Sequence, residues 1–102
     1  MELRRYQRAP LDCPLEFVPK GGSERLKAHA KDISLGGMFV QTDKPLGFGL
    51  ELVIHITLPG QKAPFALPAV VRWSRVGEGM GVQFGLLGAR ETHAITELTK
   101  EP

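Results

Sequence analysis

Hydrophobic and polar residues alternate along most of this 102-residue chain, with the period of a half-buried β-strand. In "CPLEFVP", Leu15 and Phe17 flank Glu16, and in "RLKAHAKDI", Leu26, Ala28 and Ala30 alternate with Lys27, His29 and Lys31. Between them "KGGSE" supplies Gly21 and Gly22 for a hairpin turn with positive φ. "SLGG" breaks the second strand, "MFVQT" resumes as a third, and "DKPLGFG" is a loop. The clearest alternation is in "LELVIHITLP", which sets Leu50, Leu52, Ile54, Ile56 and Leu58 on one face. "FALPAVVRWSR" reads as a strand in which Pro68 predicts an edge position or a bulge. After "VGEG", the segment "MGVQF" turns Val82 and Phe84 inward. Only "ARETHAITELTK" changes period. It lacks Gly and Pro, and Leu87, Ala94, Ile95 and Leu98 fall on one stripe, so a short helix packed on the sheet is expected.

Six short strands and one terminal helix predict an all-β fold, a closed or nearly closed six-stranded antiparallel barrel with a short C-terminal α-helix. Closure removes exposed edges that would invite aggregation. The length fits a single domain over residues 1–102. Within it, residues 1–11 are expected to form a mobile arginine-bearing segment, 12–85 the barrel and 88–100 the helix.

Composition narrows the function. An apolar fraction of 42% suits a globular core, and a net charge of +2 is too small for a field that draws in duplex nucleic acid. Any anion site must come from local clustering. Cys13 is the only cysteine, which excludes an internal disulfide and a cysteine-based metal cluster and suits a reducing compartment. The chain opens with no apolar leader segment and carries no run long enough to insert in a membrane, so a cytoplasmic location is expected.

The local clustering is at the start. "LRRYQRAP" puts Arg4, Arg5 and Arg8 within five positions. Its counterpart is "DISLGG", in which Asp32 and Ser34 can present a carboxylate and a hydroxyl at a strand end. There Gly36 and Gly37 allow a sharp turn or close approach of a ligand to the backbone. An ionised Asp only accepts hydrogen bonds, and guanine offers it two adjacent donors, at N1 and N2. Arginine supplies the other half, because its planar fork grips phosphate, reads the O6/N7 edge of guanine and stacks on bases. A ligand carrying both guanine and phosphate satisfies both segments.

The Arg-x-x-x-Arg spacing of Arg4 and Arg8, followed by Asp-x-Ser-x-x-Gly in "DISLGG", resembles the PilZ domain family, and the likeness extends to "VVRWSR", "GMGVQF" and the terminal helix. That family is bacterial and binds cyclic di-GMP on the outside of a six-stranded barrel, under an N-terminal arginine segment. The resemblance implies that Arg4 and Arg8 contact phosphate and guanine, with Arg5 as a third cation. It implies that Asp32 and Ser34 bind a guanine or secure its surroundings, and that Gly37 permits close approach. The implied function is a receptor that orders its N-terminal segment around the ligand and signals to a downstream effector protein of unidentified nature. It needs no cofactor and no metal. Leu3, where a further arginine would help hold a stacked pair of ligands, points to one ligand per chain.

Two other classes compete with this one. A protein-interaction adaptor of the same fold would have negligible nucleotide affinity. A barrel for single-stranded nucleic acid needs a platform of several aromatics, whereas aromatics are 7% of residues, mostly Phe at core positions. An enzyme is not expected, since no nucleophile–base pair, carboxylate pair or metal constellation can be assembled. Trp73 leaves two readings open: parity with Val71 and Leu67 places it in the core, and a bulge at Pro68 would turn it towards a purine. Arg72 is a candidate second contact and Arg75 a surface charge. His29, His55 and His93 are scattered, and Cys13 reads as a small buried group.

Overall fold

A computed structural model describes residues 7–100. Its elements are β1 (Ala9–Pro19), β2 (Leu26–Ile33), β3 (Gly37–Gln41), β4 (Glu51–Ile56), β5 (Phe65–Arg75), β6 (Gly79–Phe84) and α1 (Ala89–Thr99). The strands are antiparallel and close into a barrel in the order β1-β2-β3-β6-β5-β4. β1 makes the closure, pairing with β2 on one side and β4 on the other.

The alternation read from sequence is the inner face of this barrel. Leu15, Phe17, Ala30, Met38, Val40, Ile54, Leu67, Val71, Met80 and Val82 are all buried. Leu15 faces Ala28 across the ladder, a large side chain opposite a small one, as the narrow interior of a small barrel requires. Ala94 and Ile95 of α1 join the same core, with Leu87 and Leu98 packed against it. Of the two hinge glycines only Gly21 takes positive φ, at 85°, in a turn closed by Gly22 N–H donating to the Pro19 carbonyl at 2.9 Å.

Three sequence expectations need correction, and one open reading is decided. Residues 9–11, expected ahead of the barrel, belong to β1, where Ala9 and Pro10 pair with Ile33 and Asp32. A register shift between Pro10 and Cys13 interrupts the alternation there and hid the strand. Leu50, expected on the inner face, is 51% exposed. Gly49 N–H donates to the Val71 carbonyl while Val71 N–H donates to that of Leu50, so two residues oppose one and Leu50 is lifted off the core. Pro68 is at no bulge and is paired in register with Val53. Its carbonyl accepts from Gly85 N–H just past the end of β6, on the side where its own nitrogen has no ladder bond to lose. Of the two readings open for Trp73, the core is ruled out: it is 46% exposed, because the register of β5 shifts between Val71 and Trp73.

Cys13 is buried, and its Sγ–H donates to the Thr57 carbonyl at 3.3 Å. Burial pushes the thiol above its ordinary value of 9.0, and the Asp12 charge adds to the effect. The folded state therefore holds its proton more tightly than the unfolded chain. This stability is present below the unfolded thiol's value and is lost as pH rises through the folded one. At pH 8 the native protein should react with a thiol-specific reagent at least about tenfold more slowly than urea-unfolded protein; equal rates would mean that the thiol is accessible.

Candidate functional site

Two bulges create an outward-facing row. Ala30 pairs with Val40 and Asp32 with Phe39, so Lys31 is an extra residue in β2 relative to β3. Val71 pairs with Val82 and Trp73 with Gly81, so Arg72 is an extra residue in β5 relative to β6. Each insertion reverses the facing of the residues beyond it. Asp32 and Trp73, inward by parity with Ala30 and Val71, therefore point out. The bulge that turns Trp73 lies at Arg72 and not at Pro68. The ladder now reads Pro10, Asp32, Phe39, Gly81, Trp73 across five adjacent strands. At the usual spacing between strands, Asp32 and Trp73 are about 14 Å apart along this row.

At one end Asp32 is held from two sides. Its Oδ1 accepts from Phe39 N–H at 2.9 Å and from Arg8 Nη1 at 2.8 Å. The side chains of Arg8 and Asp32 are 39% and 33% exposed, so the pair is open to solvent and exchangeable. The arginine segment and the Asp-x-Ser-x-x-Gly turn thus meet at Arg8 and Asp32. Arg4 and Arg5 lie outside the described residues.

Ser34 does not stand beside Asp32 on the surface. It is buried, and its Oγ accepts from Gly36 N–H at 3.1 Å and Gly37 N–H at 3.3 Å. Ser34 N–H in turn donates to the Gly37 carbonyl at 2.8 Å. Its hydroxyl is spent on shaping the turn. Gly37 is buried too, and a Cβ there would collide with the carbonyl of Val82 on β6. The close approach it permits in the fold is of one strand's backbone to another's.

At the other end of the row is an aromatic pair. The half-exposed Trp73 stacks on Phe39, with centroids 5.4 Å apart and planes at 11°. The Arg75 guanidinium, expected to be a plain surface charge, lies 6.0 Å from the Trp73 ring centre and also contacts Glu78 at 3.3 Å. Arg72 donates from Nε to Gln83 Oε1 at 2.7 Å, an acceptor without charge. Sequence reasoning missed Phe39, Gly81 and Arg75. Phe39 alone carried a signal, since an aromatic between two inward residues, Met38 and Val40, has to face out.

A fixed carboxylate, an exchangeable guanidinium and a half-exposed aromatic stack suit a flat, donor-bearing, anionic ligand. A separate cleft of about 890 Å³ is lined by Glu16, Lys27, His29, His55 and neighbours. Among the described residues none of the expected site residues and no Phe or Trp lines it, and its Glu16 is engaged by Arg25 at 3.0 Å. Among the described residues no three His, Cys, Asp or Glu side chains gather as a metal site. Nor is any described helix long and apolar enough to cross a membrane.

Comparison with known proteins gives one family, the PilZ domain, whose model matches residues 2–101. Among solved structures, the PilZ domain of CeSA from a cellulose-synthesizing bacterium is 25% identical, with a TM-score of 0.67 over 90% of this chain and 93% of its own. The PilZ domain of YcgR from Escherichia coli, solved with c-di-GMP, is 21% identical, with a TM-score of 0.72 over 96% of this chain and 89% of its own. The inhibitor of motility MotI/DgrA of Bacillus subtilis is 24% identical, with a TM-score of 0.73 over 95% of this chain and 49% of its own. No curated protein matches the chain.

Proposed function

The chain belongs to the PilZ domain family, and from that premise we propose that it is a cytoplasmic bacterial receptor for cyclic di-GMP, acting by binding and not by catalysis. The observation that carries this reading is the contact of Arg8 with Asp32 at the head of the outward row. An E. coli relative of the same fold was solved with c-di-GMP, which supports the choice of ligand. In the complex, Asp32 accepts from the N1 and N2 donors of a guanine. Arg8 exchanges its carboxylate for a phosphate, and Arg4 and Arg5 close over the same charge. Trp73 offers a stacking face to a base. Ser34, Gly36 and Gly37 hold the turn that aims Asp32.

The anion neutralises three like charges in the arginine segment and so orders it over the ligand. The surface made by ligand and segment is what an effector protein reads. Isothermal titration with cyclic di-GMP at moderate salt tests this. The wild type should bind one ligand per chain in the micromolar range or tighter, and Arg8→Ala should bind at least about tenfold more weakly, the scale of a lost charged hydrogen bond. Equal binding by both proteins would remove Arg8 from the clamp, and a ratio of two would overturn the single-ligand reading. Flat heats for both would favour the second reading, a protein-interaction adaptor. The exposure of Phe48, Leu50 and Val76 is the observation on its side.

A further inference from the structure

The Trp73 ring, stacked on Phe39, lies over a residue that belongs to neither the arginine pair nor the Asp-x-Ser-x-x-Gly turn. Gly81 pairs with Phe39 on one side and with Trp73 on the other. A Cβ built on Gly81 would run into Nε1, Cε2 and Cδ1 of the Trp73 indole. The pyrrole edge of the ring therefore occupies the space that any other residue's side chain would need. The bulge at Arg72 turns Trp73 outward, and the bare backbone of Gly81 decides how close to the barrel the ring can lie.

We propose that Gly81 is a positioning residue: it seats the Trp73 indole against the sheet and against Phe39, building before any ligand arrives an aromatic stack that gives the site its preference for purines. The ligand half of this proposal rests on the cyclic di-GMP reading, and the seat does not. Seating matters because a ring fixed in advance loses little rotamer freedom when a base stacks on it. It also keeps the indole beneath the Arg75 guanidinium, which adds attraction for an electron-rich face and for phosphate. A raised indole would lose Phe39, the guanidinium and its fixed orientation together.

Trp73 is the only tryptophan in the chain, so emission excited at the red edge, beyond the absorption of Tyr6, reports this ring alone. Folded Gly81→Ala should show red-shifted emission and stronger quenching by acrylamide without ligand. Its affinity for cyclic di-GMP should fall at least about fivefold, the scale of one lost base–aromatic stack. Its preference for cyclic di-GMP over a cyclic dinucleotide of two pyrimidines should shrink with it. Phe39→Leu removes the stacking partner and leaves the seat free of a Cβ. It should shift emission and weaken binding in the same direction, and it keeps the idea testable if Gly81→Ala does not fold.

Wild-type emission and quenching in folded Gly81→Ala would overturn the seat. The same result together with wild-type affinity in Phe39→Leu would overturn the stack. Shifted emission with wild-type affinity would remove the stack from the ligand site. A wild type that binds no cyclic di-GMP would overturn the receptor reading and the purine preference, and the emission shift would still decide the seat.

Discussion

Gly37→Ala should destabilise the barrel by about 3 kcal/mol, the upper range for forcing a methyl into packed structure, and lower Tm by on the order of 15 °C. The atom its Cβ would strike is the Val82 carbonyl oxygen, and that oxygen belongs to backbone. Gly37 pairs with Gln83 and Met38 with Val82, so relief requires β3 to move off β6 inside a closed ring of strands. Gly60 makes the control. It has a positive φ of 86° and open space around its Cβ position, so Gly60→Ala meets backbone strain alone, about 1–2 kcal/mol. Thermal melts of the two variants decide the matter. If Gly37→Ala melts at or above Gly60→Ala, the β3–β6 approach yields more easily than its geometry implies. Under the proposed function the motif glycine would support binding through the fold, and weak binding by Gly37→Ala should come with a lowered melting temperature.

Asp32→Ala should weaken cyclic di-GMP binding by about 10- to 100-fold, the loss of two hydrogen bonds from guanine to a carboxylate. The same change leaves Phe39 N–H without its 2.9 Å acceptor and should cost roughly 1 kcal/mol of stability. Asp32→Asn separates the two roles. An amide oxygen can still accept from Phe39 N–H, so stability should stay within about 1 kcal/mol of wild type, the most that the exposed pair with Arg8 contributes. Its affinity should nevertheless fall, because one half of the amide donates where guanine also donates. Titration calorimetry and urea unfolding on the three proteins test both halves. Wild-type affinity in Asp32→Asn would mean that the ligand does not read the carboxylate charge.

The inner face was legible because a strand with one buried side must repeat every two residues, as Leu52, Ile54 and Ile56 do. The terminal helix was legible for the same kind of reason, its Ala94 and Ile95 sitting where the stripe put them. What failed was parity beyond a bulge. Lys31 and Arg72 carry no mark of being extra residues, yet each reverses the facing of the positions after it. The bulge at Gly49 put Leu50 on the wrong face, and the bulge that turns Trp73, placed at Pro68 by the sequence reading, lies at Arg72. Complementary chemistry assigned Arg8 and Asp32 to one shared ligand, and their direct contact is what the structure adds. The crowding of Gly37 against Val82 and of Gly81 against Trp73 involves residues that are distant in sequence or on neighbouring strands, and a linear reading contains no distances.

Closure of the barrel through β1 and β4 also limits how another protein can grip this one. Many recognition domains capture an extended peptide by letting it hydrogen-bond to an unpaired strand as one more member of the sheet. Here every strand of the described residues already has a neighbour on both sides. That route is shut without breaking a ladder. Under the proposed function an effector would instead recognise side chains and turns, whose arrangement on the outer wall would change with the occupant of the row. Backbone pairing is indifferent to such a change, and side-chain recognition is sensitive to it, so a sealed barrel suits a protein whose message is written on its surface.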